Sequence, residues 1–228
     1  MVGTAEVKWR TVGGAAYNWN PPIALSGFEF IDYSTTATKH SRPHACRHPL
    51  TGRTVLVEIT DSNTVTCWRQ GASGLWSSAT VATTSASSGA GTPDICATIT
   101  PVPHGGGIRF LCFYVSALAS GSSSSQIRLA ISDDDGATWT AAASDCLTTP
   151  LGKASSKYLR IRAAALNGLV SVLLWEQETT DTGYQYVSAT EGGTLELVET
   201  VATADVGCFD LVAARGRLHV ATIQHIAA

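Results

Sequence analysis

The sequence has few charged residues, and this scarcity excludes several classes of protein. Asp, Glu, Lys and Arg make up 14% of the chain, and the formal net charge is -3. A nucleic-acid-binding surface needs concentrated positive charge, so we expect no nucleic-acid partner. No apolar run is long enough for a transmembrane helix, and Met1 is not followed by the apolar core of a signal peptide. We therefore expect no membrane insertion. If the protein leaves a cell, we expect release by lysis, by assembly into a particle or within a longer precursor.

Motifs for metals and cofactors are also lacking. None of the six cysteines forms a CxxC pair, and no Cys/His group has zinc spacing. The acidic run 133–135 lacks the ligand spacing of a calcium-binding EF-hand loop. We expect no metal and no cofactor. We expect the cysteines to be reduced and buried, with three disulfides as the alternative; they are Cys46, Cys67, Cys96, Cys112, Cys146 and Cys208.

Long helical periodicity is absent, and short apolar runs beside glycine turns take its place. Four segments repeat along the chain, each with an inner run, a glycine turn and a second apolar strand. The turns contain Gly52, Gly106, Gly168 and Gly216, and the inner runs are 42–46, 93–97, 159–163 and 209–213. This order predicts an all-β propeller of four-stranded antiparallel blades. The blades are expected at 41–83, 91–147 and 157–202, with a partial blade at 209–228. Residues 1–40 are expected to form N-terminal strands or a partner-contacting segment.

The stretch from Ser132 to Trp139 carries the most specific motif, Ser-x-Asp-x-Gly-x-Thr-Trp. The carboxylate of Asp134 can accept hydrogen bonds from the amides of its own loop, and Gly136 can adopt the positive φ that such a loop needs. Thr138 offers a further local hydrogen bond, and Trp139 can fold over the turn and bury an apolar face. The motif therefore predicts a turn that is closed by its own side chains.

This motif resembles the Asp-box, or BNR repeat, of the sialidase-like β-propellers, of the kind found in phage tail and fibre proteins. Two decayed copies set the repeat. Residues 69–76 keep mainly Trp76, and residues 188–195 keep Ser188, Gly192 and Thr194. In this reading each copy lies between the third and fourth strands of a blade.

The number of blades is too small for a sialidase-like ring, which normally has six. Three full blades and a partial blade leave sheet edges open, and ring closure is what removes such edges. Three explanations remain: the N-terminal strands complete the last blade, the chain is a piece of a longer protein, or another chain covers the edge. We favour the last two together.

The resemblance also implies a catalytic set for cleaving a sialoside. Arg42 and Arg160 would clamp the substrate carboxylate and Asp94 would act as acid/base. The nucleophile would be Tyr158 or Tyr184 paired with Glu176. His44, Arg162 and Asp210 are further candidates to face the propeller axis. The alternative, which we favour, is that these are polar residues at strand ends near a solvated channel. His48 and His104 flank turns and are expected to face solvent.

The sequence thus predicts a non-catalytic propeller that serves as a structural or recognition component. It would bind a cell-surface glycan, a receptor or a neighbouring subunit. The resemblance to phage tail and fibre propellers implies an extracellular or virion-associated protein, as a component of a viral particle or tail. Other subunits would cover its open blade edges. The alternative is a divergent or truncated sialidase-type glycoside hydrolase.

Overall fold

The computed structural model describes residues 43–60, 64–84, 96–141, 145–154, 158–176, 182–188, 193–202 and 206–224. Its regular elements are fourteen strands. They are β1 (His44–Arg47), β2 (Thr54–Thr60), β3 (Thr64–Gln70), β4 (Trp76–Thr83), β5 (Ala97–His104), β6 (Gly107–Ala117), β7 (Ser125–Ser132), β8 (Thr140–Ala141), β9 (Tyr158–Leu166), β10 (Leu169–Glu176), β11 (Thr182–Ser188), β12 (Glu196–Ala202), β13 (Val206–Ala214) and β14 (Arg217–Gln224). Among these ranges no helix is long and apolar enough to cross a membrane.

The strands form three four-stranded sheets and one two-stranded sheet. The first sheet is β1–β4, the second β5–β8, the third β9–β12, and the last hairpin is β13–β14, with every neighbouring pair antiparallel and in chain order. The innermost strands contact one another in sequence, β1 with β5, β5 with β9 and β9 with β13. This arrangement is that of successive propeller blades around an axis, and it confirms the predicted all-β fold with incomplete blades.

The hairpins between the first and second strands follow from their turn residues. Three of them are two-residue loops with positive φ at both positions, at 105–106, 167–168 and 215–216. That geometry is the type I′ turn, whose twist matches that of the flanking strands and which favours glycine at its second position. The first sheet differs, because a longer loop over residues 48–53 joins β1 to β2.

The second and third sheets each share their two faces with two different described neighbours. In β6, Phe110 and Cys112 face a core shared with the first sheet, whereas Leu111 and Phe113 face a core shared with the third. All four side chains are fully buried. Burial on both faces explains why β6 reads as a continuous apolar run rather than as an alternating one. A third core, with Leu211 of the last hairpin, forms against the third sheet.

Two inner strands have bounds that differ from the predicted runs. The described inner strand of the second sheet runs from Ala97 to His104, and Pro93, where the predicted run begins, lies outside the described residues. Pro101 and Pro103 lie within β5, which pairs on one side only, with β6, so a missing amide is tolerated there. The inner strand of the last hairpin begins at Val206, three residues before the predicted Phe209.

Candidate functional site

The inner strands carry a layer of polar side chains that crosses three sheets and the last hairpin. We call this set the axial layer: His44 of β1, Thr98 of β5, Arg162 of β9 and Asp210 of β13. Three of its members, His44, Arg162 and Asp210, are residues that the sequence predicts near the axis. Thr98 is not, because a threonine inside an apolar strand gives no signal of its role.

A chain of hydrogen bonds runs across the first three inner strands. The Ala163 amide donates to Thr98 Oγ1 at 3.0 Å, and Thr98 Oγ1 lies 2.9 Å from His44 Nδ1. The Ile99 amide also donates to His44 Nδ1, at 3.2 Å. Because an amide can only donate, Nδ1 must accept, and the imidazole carries its proton on Nε2. The layer therefore holds His44 in one tautomer.

Burial and neighbouring positive charge keep His44 neutral. Desolvation first, and then the Arg162 guanidinium, lower the pKa of His44 from 6.5 to about 4, against a smaller opposing effect of Asp210. A neutral imidazole at physiological pH cannot stabilise a bound anion by charge. It serves here as a hydrogen-bond acceptor between blades.

Arg162 joins the third sheet to the last hairpin. Its Nε donates to Asp210 Oδ1 at 3.0 Å and its Nη1 donates to the Ile161 carbonyl at 2.8 Å. The same Asp210 oxygen accepts the Leu211 amide at 3.0 Å. Burial lowers the pKa of Arg162, and Arg160 adds to the effect. The Arg162 guanidinium thus forms hydrogen bonds within the protein. Its partner Asp210 is largely exposed.

The structure brings three members of the predicted catalytic set near one another, on β9 and β10. Tyr158 of β9 lies opposite Glu176 of β10 in register, beside a bulge in the pairing. Tyr158 is buried in the core between the second and third sheets. The Glu176 carboxylate accepts a hydrogen bond from Lys153 Nζ, with which it forms an ion pair. Arg160 is half-buried on β9 and pairs in register with Trp175.

Within the described ranges, the remaining predicted catalytic residues do not lie beside Tyr158, Arg160 and Glu176. Arg42 and Asp94 lie outside the described residues. Tyr184 is on β11, which β10 separates from β9, so its backbone is two strands away from Arg160.

The loop of the Ser132–Trp139 motif closes on itself. Ser132 Oγ accepts the Gly136 amide at 2.9 Å, and it donates to Asp134 Oδ1 at 2.9 Å. The Thr138 amide and hydroxyl donate to the two Asp134 oxygens at 2.8 and 2.6 Å, and Trp139 Nε1 donates to the Gly136 carbonyl at 3.2 Å. Burial would raise the pKa of Asp134, but the hydrogen bonds from Thr138 and Ser132 outweigh it and lower the pKa. The polar groups of the motif are occupied by the turn itself.

The same loop also clamps the second sheet onto the first. Gly136 has φ +81°, and a Cβ added there would lie 3.1 Å from Cys67 Sγ of the first sheet. His48 Nε2 and Asp135 Oδ1 are 2.9 Å apart. His48 Nδ1 accepts hydrogen bonds from the amides of Leu50 and Thr51, so the ring proton is on Nε2, which donates a hydrogen bond to Asp135.

The expectation that His48 faces solvent is therefore wrong. The side chain is buried, and its ring meets the Phe110 ring edge-on with 5.6 Å between centroids. No sequence signal near residue 48 could have shown this, because its partners lie in another sheet. His104 does lie at an exposed position and contacts Arg109 at 2.7 Å.

The two decayed copies occupy the same connection as the motif. Residues 69–76 join β3 to β4 and residues 188–195 join β11 to β12, as 132–139 join β7 to β8. Gly74 has φ +82°, close to the value at Gly136, and Trp76 is partly buried. Ser188 is buried and Thr194 exposed, whereas Gly192 lies outside the described residues.

The described cysteine, histidine and acidic residues form no group of three or more that could hold a metal ion. Five cysteines are free thiols, namely Cys46, Cys67, Cys96, Cys112 and Cys146. Burial raises the pKa of the Cys67 thiol to about 12, which makes a reactive thiolate unfavourable. The side chain of Cys208 lies outside the described residues.

Comparison with known proteins supports the fold and leaves the family open. No family model and no curated protein matches the chain. Solved structures of the fucose-specific lectin of Aleuria aurantia do. One, described as a six-bladed β-propeller with a novel mode of fucose recognition, shares 11% identity at a TM-score of 0.51, and a mercury derivative shares 11% at 0.53. A point mutant in complex with Fucα1-6GlcNAc shares 9% identity at a TM-score of 0.50.

These likenesses define the chain as a β-propeller. Each match covers 82% of this chain and 55% of the lectin, so the chain spans little more than half the length of its structural neighbours. At such low identity the shared feature is the fold.

Proposed function

We propose that the chain is a non-catalytic β-propeller that recognises a glycan or a neighbouring subunit. The observation that carries the proposal is the axial layer, in which the polar groups of four inner strands are hydrogen-bonded to one another. His44 accepts from Thr98 and Ile99, and Arg162 donates to Asp210. Side chains that hold blades together in this way are structural, and recognition is then left to the loops and outer surfaces.

General acid–base catalysis would need a different arrangement. A catalytic acid or base works best with a pKa near the operating pH, whereas the pKa of His44 is lowered to about 4. Glu176 is buried and bonded to Lys153, and Tyr158 is buried in a core. These groups are built into the scaffold instead of facing a substrate.

A fucosylated glycan is the first ligand to test, because the structural neighbours are lectins solved with fucosides. The test applies the full chain to an array of fucosylated, sialylated and neutral glycans, and in parallel to a fluorogenic sialoside. Saturable binding to one glycan class without turnover supports the proposal. Sialoside turnover that is lost in Glu176→Gln would refute it.

A divergent sialidase-type hydrolase is the second candidate, and one observation favours it. Tyr158 and Glu176 face each other on paired strands, with Arg160 two residues along β9. A Tyr/Glu nucleophile pair beside an arginine is what such chemistry requires. The same sialoside assay decides this candidate: the wild type would have to turn over substrate, and Tyr158→Phe would have to abolish turnover without unfolding.

We further propose that other subunits complete the propeller in a viral particle or tail. The chain matches 55% of a six-bladed neighbour, so the rest of a comparable ring would come from elsewhere. Light scattering on the isolated chain tests this idea. A stable monomer at micromolar concentration would contradict it, and discrete oligomers would support it.

A further inference from the structure

The last hairpin leaves apolar side chains exposed that its counterparts bury. The two-residue turns align β14 with β10, so Leu218 corresponds to Val170 and Val220 to Val172. Val170 and Val172 are 1% and 0% exposed, whereas Leu218 and Val220 are 37% and 54% exposed. Leu218 and Val220 are thus apolar residues at positions that are buried in the third sheet, but among the described residues they are only partly covered.

The missing cover corresponds to a third strand. Leu218 and Val220 pair in register with Ala213 and Leu211, so they lie on the face that packs against the third sheet. In the third sheet the equivalent Val172 pairs on its other side with Tyr186 of β11, which is itself buried. Among the described strands β14 has β13 as its neighbour on one side and none on the other.

The N-terminal sequence contains two runs that suit this edge. Residues 5–12 alternate apolar and polar side chains, with Val7 and Trp9 on one face and Glu6, Lys8 and Arg10 on the other. Residues 28–33 form a second run rich in aromatic side chains, and a stretch with Gly, Asn and Pro separates the two. Period-two alternation is the signature of a strand with one buried face.

We propose that these two runs, from the same molecule, add to the free edge of β14 and bury Leu218 and Val220. The last hairpin would then have four strands, like the other three sheets. The ten residues between the second run and β1 can span ~33 Å. Asp210 of β13 acts electrostatically on His44 of β1, so the inner strands of the last hairpin and the first sheet approach each other, and crossing a four-stranded sheet takes a further ~14 Å. A segment tethered to the same chain also has a high effective concentration, which favours it over a segment from another copy. The inference is independent of any ligand.

Trypsin cleavage of the full chain tests the docking of residues 5–12, because Lys8 and Arg10 are cleavage sites within that run. In the wild type, cleavage at both sites is expected to be slow relative to a free peptide of residues 1–42. Val220→Asp places a charge in the proposed contact and is expected to speed cleavage at least about tenfold. Val198→Asp is the matched control: Val198 on β12 is 61% exposed, and its substitution is expected to leave the rate unchanged.

Two further measurements keep the test decisive. Hydrogen exchange of the wild type should protect β14 amides as well as those of β10, since both would be interior strands. Cleavage should not depend on protein concentration over a hundredfold dilution. Rapid wild-type cleavage, equal acceleration by the two valine variants, or edge-like exchange in β14 would overturn the proposal. Protection that disappears on dilution would assign the strands to a neighbouring copy and would overturn it as well.

Discussion

Replacing Gly136 by alanine is expected to weaken the contact between the first and second sheets. At φ +81° a left-handed backbone costs an alanine ~1–2 kcal/mol. The new Cβ would also lie 3.1 Å from Cys67 Sγ, and moving a packed core atom costs ~1–3 kcal/mol. Together these effects predict a loss of ~2–5 kcal/mol in the free energy of unfolding.

Gly168→Ala is the matched control for the backbone part. Gly168 has φ +80°, but an added Cβ would meet no atom within 4 Å. Its substitution should therefore cost only the ~1–2 kcal/mol of left-handed strain. Urea denaturation followed by circular dichroism measures both variants.

A double-mutant cycle isolates the contact itself. Cys67→Ala removes the sulfur that the new Cβ would meet, so the pair Gly136→Ala and Cys67→Ala should be more stable than the sum of the single effects by ~1–3 kcal/mol. Equal losses for Gly136→Ala and Gly168→Ala, or strict additivity in the cycle, would refute the idea that this loop packs against the first sheet.

Three further outcomes follow from the described contacts. Asp134→Ala, which removes the acceptor of three hydrogen bonds, should lower stability by ~1–3 kcal/mol. Asp133→Ala, which breaks a solvent-exposed pair with Arg109, should shift the urea midpoint clearly less than Asp134→Ala does. Since the folded-state pKa of His44 is lowered to about 4 from 6.5, the unfolded chain takes up the proton first as pH falls, so stability should fall by ~1–3 kcal/mol between pH 6.5 and 4. A His44→Gln variant that keeps the same pH dependence would contradict this assignment. The thiols of Cys67, Cys112 and Cys146 should resist a thiol reagent at pH 8 until the protein unfolds, and rapid labelling of the native protein would show that they are accessible.

The blade pattern was readable from the sequence because its signals are local. A two-residue turn such as Asn167–Gly168 fixes the register of the two strands beside it, so each hairpin can be recognised from a stretch of about 15 residues. The Ser132–Trp139 motif works in the same way, since its hydrogen bonds join residues at most four positions apart. Local signals therefore predicted the sheets and the place of the motif between β7 and β8.

The features missed by sequence analysis depend on contacts between sheets. His48 and Asp135 are 87 residues apart, and neither residue type indicates a buried pair. Thr98 bridges His44 and the Ala163 amide by the same kind of long-range contact. Pro101 and Pro103 lie within β5 although proline argues locally against a strand, because the one-sided pairing of an innermost strand permits them.

The sharing of sheet faces has a consequence for how the molecule comes apart. Every core belongs half to one sheet and half to the next, so detaching any sheet uncovers apolar side chains on its neighbours as well as its own. In such an array, interior units depend on two interfaces and terminal units on one, as in other quasi-one-dimensional proteins. Unfolding should therefore begin at the two terminal units, the first sheet and the last hairpin, and the second and third sheets, which are enclosed on both faces, should be the last to lose their hydrogen bonds.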